Sequence, residues 1–130
     1  MLHYIDTSAL VKLVVNEVES PALRSWITTT DPGLVSSDLA RTELLRAVRR
    51  IAPDRVVQAR TVLEMLSLVS VTTASFEIAG HLEPTLLRTL DALHLAVALD
   101  LGDELTGIVT YDDRMAEAAR NHGIAVLAPG

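Results

Sequence analysis

The chain has 130 residues, 49% of them hydrophobic, and a net charge of −6 from 17 acids against 11 lysines and arginines. That is the size of one domain with a sizeable core. No apolar run approaches the ~20 residues of a membrane helix, the opening MLHYIDTSAL lacks the basic start and long apolar stretch of a signal peptide, and the absence of cysteine excludes disulfides, thiolate metal sites and a cysteine nucleophile.

In chain order, LHYI (2–5) is apolar enough for a buried strand, and ALVKLVV after it reads as a helix. Ser20-Pro21 starts a second helix, running to about Ile27, and Asp31-Pro32-Gly33 is a turn. LVSS (34–37) is a strand, with Asp38 as the expected cap of a helix over 39–51. Pro53 ends that helix and opens another, to about Leu66. LVSVT (68–72) is a third strand, and Ser75 is the expected cap of a helix through about Leu82. Pro84 interrupts, and RTLDALHLAVAL then forms a helix that stops before Gly102. GIVTYD (107–112) is a strand, DRMAEAARNHG a helix with Gly123 at its C-terminal position, and IAVLA (124–128) a last strand. Strands alternating with helices predict one α/β domain filling 1–130: an α/β/α sandwich around a mostly parallel sheet of about five short strands.

Ligands of open parallel sheets bind beyond the carboxyl ends of the strands. Asp6 and Asp112 end predicted strands and precede helices, so each is either a site residue or a helix cap. Glu43 lies at the edge of the apolar face of its helix, where a surface pair with Arg46 is the plain alternative. Asp91 sits on a helix that is apolar on almost every side. Such a carboxylate needs a partner, either Arg88 three residues earlier or a polar pocket shared with the strand-end aspartates. Carboxylates converging on one pocket repel each other, and a hard divalent cation such as Mg²⁺ or Mn²⁺ relieves the repulsion. The reaction class that follows is metal-assisted hydrolysis of a phosphodiester.

The negative charge argues against tight passive binding of nucleic acid, and Tyr4, Trp26, Phe76 and Tyr111 are too few aromatics for a base-stacking platform. An acidic nuclease stays open, because a bound metal reverses the local sign.

At these residues the sequence resembles the PIN-domain ribonucleases, and within them the VapC toxins of type II toxin–antitoxin pairs. YIDTSALVKL, RTELLRA, LDALHLAVAL and VTYDDRMAEAA carry the resemblance over essentially the whole chain. It implies a PIN-like fold and Mg²⁺-dependent endoribonuclease activity, with Mn²⁺ as a possible substitute. It implies metal roles for Asp6, Glu43, Asp91 and Asp112, with Asp112 preferred over Asp113, and supporting hydrogen bonds from Ser8 and Thr110. It also implies a VapB-like antitoxin that blocks the pocket and supplies any DNA contact, a homodimer within a larger toxin–antitoxin complex, an RNA substrate and a cytoplasmic location. Arg46, Arg49 and Arg50 form the densest basic cluster and are candidate RNA contacts, or else a solvated helix face. His94 is expected to be a packed histidine rather than a general base, and His3, His81 and His122 have no constellation around them.

Other readings fit less well. A HAD-like phosphatase wants a second acid two residues after the first, where Ser8 stands, and a receiver domain wants an acid at the end of LVSVT. A PIN nuclease of RNA processing without an antitoxin remains the alternative enzyme. A non-catalytic PIN-like binding module is the alternative from another class, and the presence of all four acids counts against it.

Overall fold

The short apolar runs become the strands of one sheet. A computed structural model describes residues Met1–Gly130. Its strands are β1 (Leu2–Ile5), β2 (Gly33–Ser37), β3 (Ser67–Val69), β4 (Leu105–Val109) and β5 (Val126–Leu127), all parallel, in the order β3-β2-β1-β4-β5. The helices are α1 (Thr7–Val14), α2 (Ser20–Thr30), α3 (Leu39–Ile51), α4 (Val56–Glu64), α5 (Thr73–Gly80), α6 (Thr89–Asp100) and α7 (Asp113–Asn121).

Side chains alternate across a strand, and here both faces are covered. Ile5 and Val109 point into a core built with Leu10, Leu23, Leu44 and Val48 from α1, α2 and α3. Tyr4, Ile108 and Val35 point the other way, onto Leu95, Val97 and Met115 of α6 and α7. The chain steps outward from β1 to β2 to β3, then returns to lay β4 on the other flank of β1. The connections leaving β1 and β4 therefore diverge. The crevice between such diverging ends is where doubly wound sheets bind ligands.

Several boundaries differ from the sequence reading, each for a local reason. β4 ends at Val109 and not at Asp112, because hydroxyls capture the next amides: Tyr111 N donates to Ser8 Oγ at 2.9 Å and Asp112 N to Thr110 Oγ1 at 3.1 Å. Helix α5 is capped by Thr72, whose Oγ1 accepts from Ser75 N at 3.1 Å, so Ser75 is not the cap, and β3 ends at Val69 instead of residue 72. Asp38 does not cap α3. Its backbone is already helical, its carboxylate pairs with Arg41 at 3.0 Å, and Ser37 Oγ accepts from Leu39 N instead. The helix expected from Pro53 begins as a 3-10 turn over Pro53–Arg55, since the residue before a proline is pushed out of the helical region and Ala52 has φ −147°. Helix α2 outruns Ile27 by three residues and closes on Asp31 in the left-handed conformation, φ 48°. The last strand is only Val126–Leu127. Gly123, with φ 79°, ends α7 as expected.

Gly107 is required by packing. A Cβ there would lie 2.9 Å from the Ala125 carbonyl oxygen and 2.8 Å from Leu127 Cδ1. Gly107→Ala should force β5 away from β4 and lower unfolding stability by about 1–3 kcal/mol, read as a fall in the midpoint of urea denaturation.

Candidate active site

The crevice holds a cavity of about 190 Å³ whose walls contain no hydrophobic residue: Asp6, Thr7, Ser8, Glu43, Arg88, Asp91, His94 and Asp112. Four carboxylates from four separated segments meet there. Asp112 lines the cavity, whereas Asp113 is exposed and lies outside it.

Asp6 follows β1 and is 4% exposed. It is both a cap and a pocket residue: Oδ1 accepts from Ala9 N at 3.2 Å, which makes it the N-cap of α1. Ser8 Oγ donates to Oδ1 at 2.6 Å and Thr110 Oγ1 to Oδ2 at 2.5 Å. The same two hydroxyls accept the amides of Tyr111 and Asp112, so they clip the end of β4 to the end of β1. Burial lifts the Asp6 carboxyl above its ordinary value, against these hydrogen bonds and the nearby His94, which pull it down.

Asp112 plays the same double part at the other strand end. Its Oδ1 caps α7 by accepting from Arg114 N at 2.9 Å and Met115 N at 3.2 Å, while Oδ2 turns to the cavity. Asp91 stands in the first turn of α6 and is paired with Arg88, as one reading of the sequence allowed, and it faces the shared pocket, as the other required. The Arg88 head spans the gap: Nε donates to Asp91 Oδ2 at 3.0 Å and Nη2 to Asp112 Oδ2 at 2.9 Å.

Glu43 makes no pair with Arg46. It reaches over the end of the sheet from α3, where its Oε1 accepts from Thr7 Oγ1 at 2.9 Å and from His94 Nε2. His94 is 2% exposed, so it is packed as expected, yet its ring also reaches the pocket wall from α6. With Glu43 ionised, Nε2 must carry the proton. Nδ1, on the other side of the ring, is hydrogen-bonded to Tyr4 Oη at 2.6 Å. Tyr4, His94 and Glu43 thus form a chain from one face of the sheet to the helix layer on the other. Burial opposes ionisation of Glu43, but the bond and charge of His94 and the bond from Thr7 outweigh it and hold the carboxyl below its usual range.

The structure brings together the four acids and the two hydroxyls that the sequence singled out; the second contact of Arg88 and the polar contacts of His94, Tyr4 and Thr7 were not foreseen. One signal for His94 was present: it lies three residues after Asp91, on the same helix face. Arg46, Arg49 and Arg50 are exposed on α3 and line no part of the cavity. His3 packs edge-on against Trp26, and His122 Nε2 donates to the Glu83 carbonyl at 2.9 Å.

The donor set is all oxygen and rich in carboxylate, which suits a hard divalent cation. No three acidic or histidine side chains are gathered into a ready cage. Arg88 ties Asp91 to Asp112, His94 holds Glu43, and the hydroxyls hold Asp6.

A carboxyl whose pKa is raised by folding favours the folded state at low pH, and that contribution is lost as pH rises through the raised value. Without divalent cation, Asp6→Asn should therefore melt higher than the parent at pH 7, and the gain should vanish below about pH 4, the ordinary aspartate value. Asp6→Ala should melt lower, since it forfeits about 1 kcal/mol of helix capping. Thermal denaturation across pH checks both.

Comparison with known proteins supplies the family. Residues 3–121 match the PIN domain family. Ribonuclease VapC46 of Mycobacterium tuberculosis is 48% identical over 126 residues, covering 97% of this chain and 96% of that protein. Ribonuclease VapC47 of the same species is 39% identical, covering 98% and 96%. Among solved structures, the Mycobacterium tuberculosis toxin VapC20, described as cleaving the sarcin–ricin loop, superposes with a TM-score of 0.79 over 98% of this chain and 99% of its own, at 16% identity. A chain of a Klebsiella pneumoniae toxin–antitoxin complex gives 0.74, covering 98% of each chain, also at 16% identity. With a family match over nearly its full length and curated ribonucleases at this level of identity, the chain belongs to the PIN-domain family, among the VapC ribonucleases.

Proposed function

We propose that this chain, a single PIN domain, is the toxin of a type II toxin–antitoxin pair and cuts RNA internally with a Mg²⁺ ion in the acidic pocket. Asp6 and Asp91 would hold the ion, with Glu43 and Asp112 joining directly or through water, and Mn²⁺ would substitute. The observation that carries this reading is the convergence of four carboxylates, from the N-caps of α1 and α7 and from α3 and α6, on one cavity without an apolar wall. Such a cluster is costly to assemble unless a cation offsets it.

A divalent ion bound there supplies a polarised water and offsets the charge that develops on the phosphate. The chain's own residues do the positioning. Asp6 is fixed by a helix cap and two hydroxyls, so its oxygens cannot swing away. Glu43 is fixed by Thr7 and by the buried His94. Ser8 and Thr110 tie the two strand ends together and so set the spacing of Asp6 and Asp112. Arg46, Arg49 and Arg50 lie exposed on the helix that carries Glu43 and would hold the RNA backbone outside the cavity. A VapB-like antitoxin would cover the pocket and bring any DNA contact, and the toxin would pair as a homodimer inside that complex. The toxin would act in the cytoplasm. No helix is long and apolar enough to cross a membrane.

Purified chain, freed of partner, should cleave single-stranded RNA with Mg²⁺ or Mn²⁺ and stop in EDTA. Asp91→Asn should reduce cleavage by more than about a hundredfold, the upper range for losing even an outer-shell partner of a metal. It should cost less than about 1 kcal/mol of stability, since the Arg88 side of the pair is open to solvent and asparagine keeps a hydrogen-bond acceptor for it. Gel assays and thermal melts of the same preparation separate the two effects. Full activity in Asp91→Asn would remove the proposal.

A further inference from the structure

Arg88 is the only lysine or arginine in the cavity wall. It is the N-cap residue of α6, with extended backbone, so its stem starts at the rim and its head reaches across the opening. The side chain is 61% exposed, while the carboxylates it bridges are 16% and 23% exposed. It touches one oxygen of each, Asp91 Oδ2 and Asp112 Oδ2, and these acids belong to different elements. Without a cation between them, the two oxygens would repel.

We propose that Arg88 bridges Asp91 and Asp112 whenever no ion is bound between them and, displaced when an ion enters, becomes the pocket's own contact to an RNA phosphate. The inference rests on the metal reading above. Guanidinium and divalent ion want the same carboxylate oxygens, and two cations at that spacing repel. Entry of the ion therefore frees a forked donor at the rim. The fork that matches a carboxylate pair also matches two oxygens of a phosphate. Only a short side-chain rotation separates the two uses, because the head is exposed and the stem is free of the core. Metal entry and substrate capture are thereby coupled: the ion sets the arginine loose where the phosphate must arrive.

The test is calorimetric titration of the full chain with MnCl₂ in the absence of RNA, together with steady-state RNA cleavage at saturating Mn²⁺. Arg88→Gln should bind Mn²⁺ about five- to tenfold tighter than the parent, since a unit charge beside the ion has been removed. The same variant should raise KM for RNA about tenfold or more, as expected for loss of a charge-assisted contact. Arg88→Lys keeps the charge and loses the fork, so it should leave Mn²⁺ affinity near the parent value and still raise KM. These opposite signs are not those of a merely structural arginine, whose loss would weaken both. Unchanged or weaker Mn²⁺ binding in Arg88→Gln, with the parent binding Mn²⁺ normally, would overturn the bridging role and leave the metal site intact. Tighter Mn²⁺ binding with unchanged KM would overturn the phosphate contact. A parent that binds no Mn²⁺ would overturn the metal reading and this inference together.

Discussion

The Asp6 carboxylate organises the rest of the site. It lies almost fully buried at the end of the central strand, where an unpaired charge would cost several kcal/mol. The fold offsets part of that cost with an amide from the first turn of α1 and hydroxyls from Ser8 and Thr110. The amide also places the charge at the positive end of a helix dipole. Because the two hydroxyls also take the amides of Tyr111 and Asp112, fixing Asp6 fixes the second strand end. One buried charge thus determines where β4 stops, how α7 begins and which way Asp112 faces.

The sheet order makes this economical. β1 and β4 are neighbours although about a hundred residues separate them, and the connections that leave them run to opposite flanks. The helices between supply one acid from each layer. Glu43 arrives on α3 and Asp91 on α6, and the His94–Glu43 contact joins the two layers across the top of the sheet. Tyr4 extends that contact into the core beneath α6, so the orientation of Glu43 is coupled to the packing of the central strand.

Much of this was legible from the residues. Apolar runs and turn chemistry located the strands and helices, and the cost of a carboxylate on an apolar helix made Asp91 conspicuous. The two readings offered for these acids are not exclusive: Asp6 and Asp112 are helix caps that also line the acidic cavity, and Asp91 pairs with Arg88 while lining it too. What stayed hidden depends on distance along the chain. Arg88 meets Asp112 24 positions away, Glu43 meets His94 51 away, and Tyr4 meets His94 90 away. No periodicity within one element encodes such pairs. The end of β4 was misplaced for the same reason: TYD looks like strand locally, but a hydroxyl from the far end of the chain diverts it. The capping errors at Asp38 and Ser75 are of another kind. Suitable side chains stood at several adjacent positions, and backbone conformation chose Ser37 and Thr72.

The central claim is that the four acids form a metal pocket that Arg88 bridges until a cation arrives. Crystals of the full chain soaked in Mn²⁺ and measured at the manganese edge test it directly. The account predicts an anomalous peak bonded to Asp6 and Asp91, with the Arg88 head turned away from Asp112. A peak elsewhere, no peak at saturating Mn²⁺, or an ion bound with Arg88 still bridging Asp91 and Asp112 would contradict it.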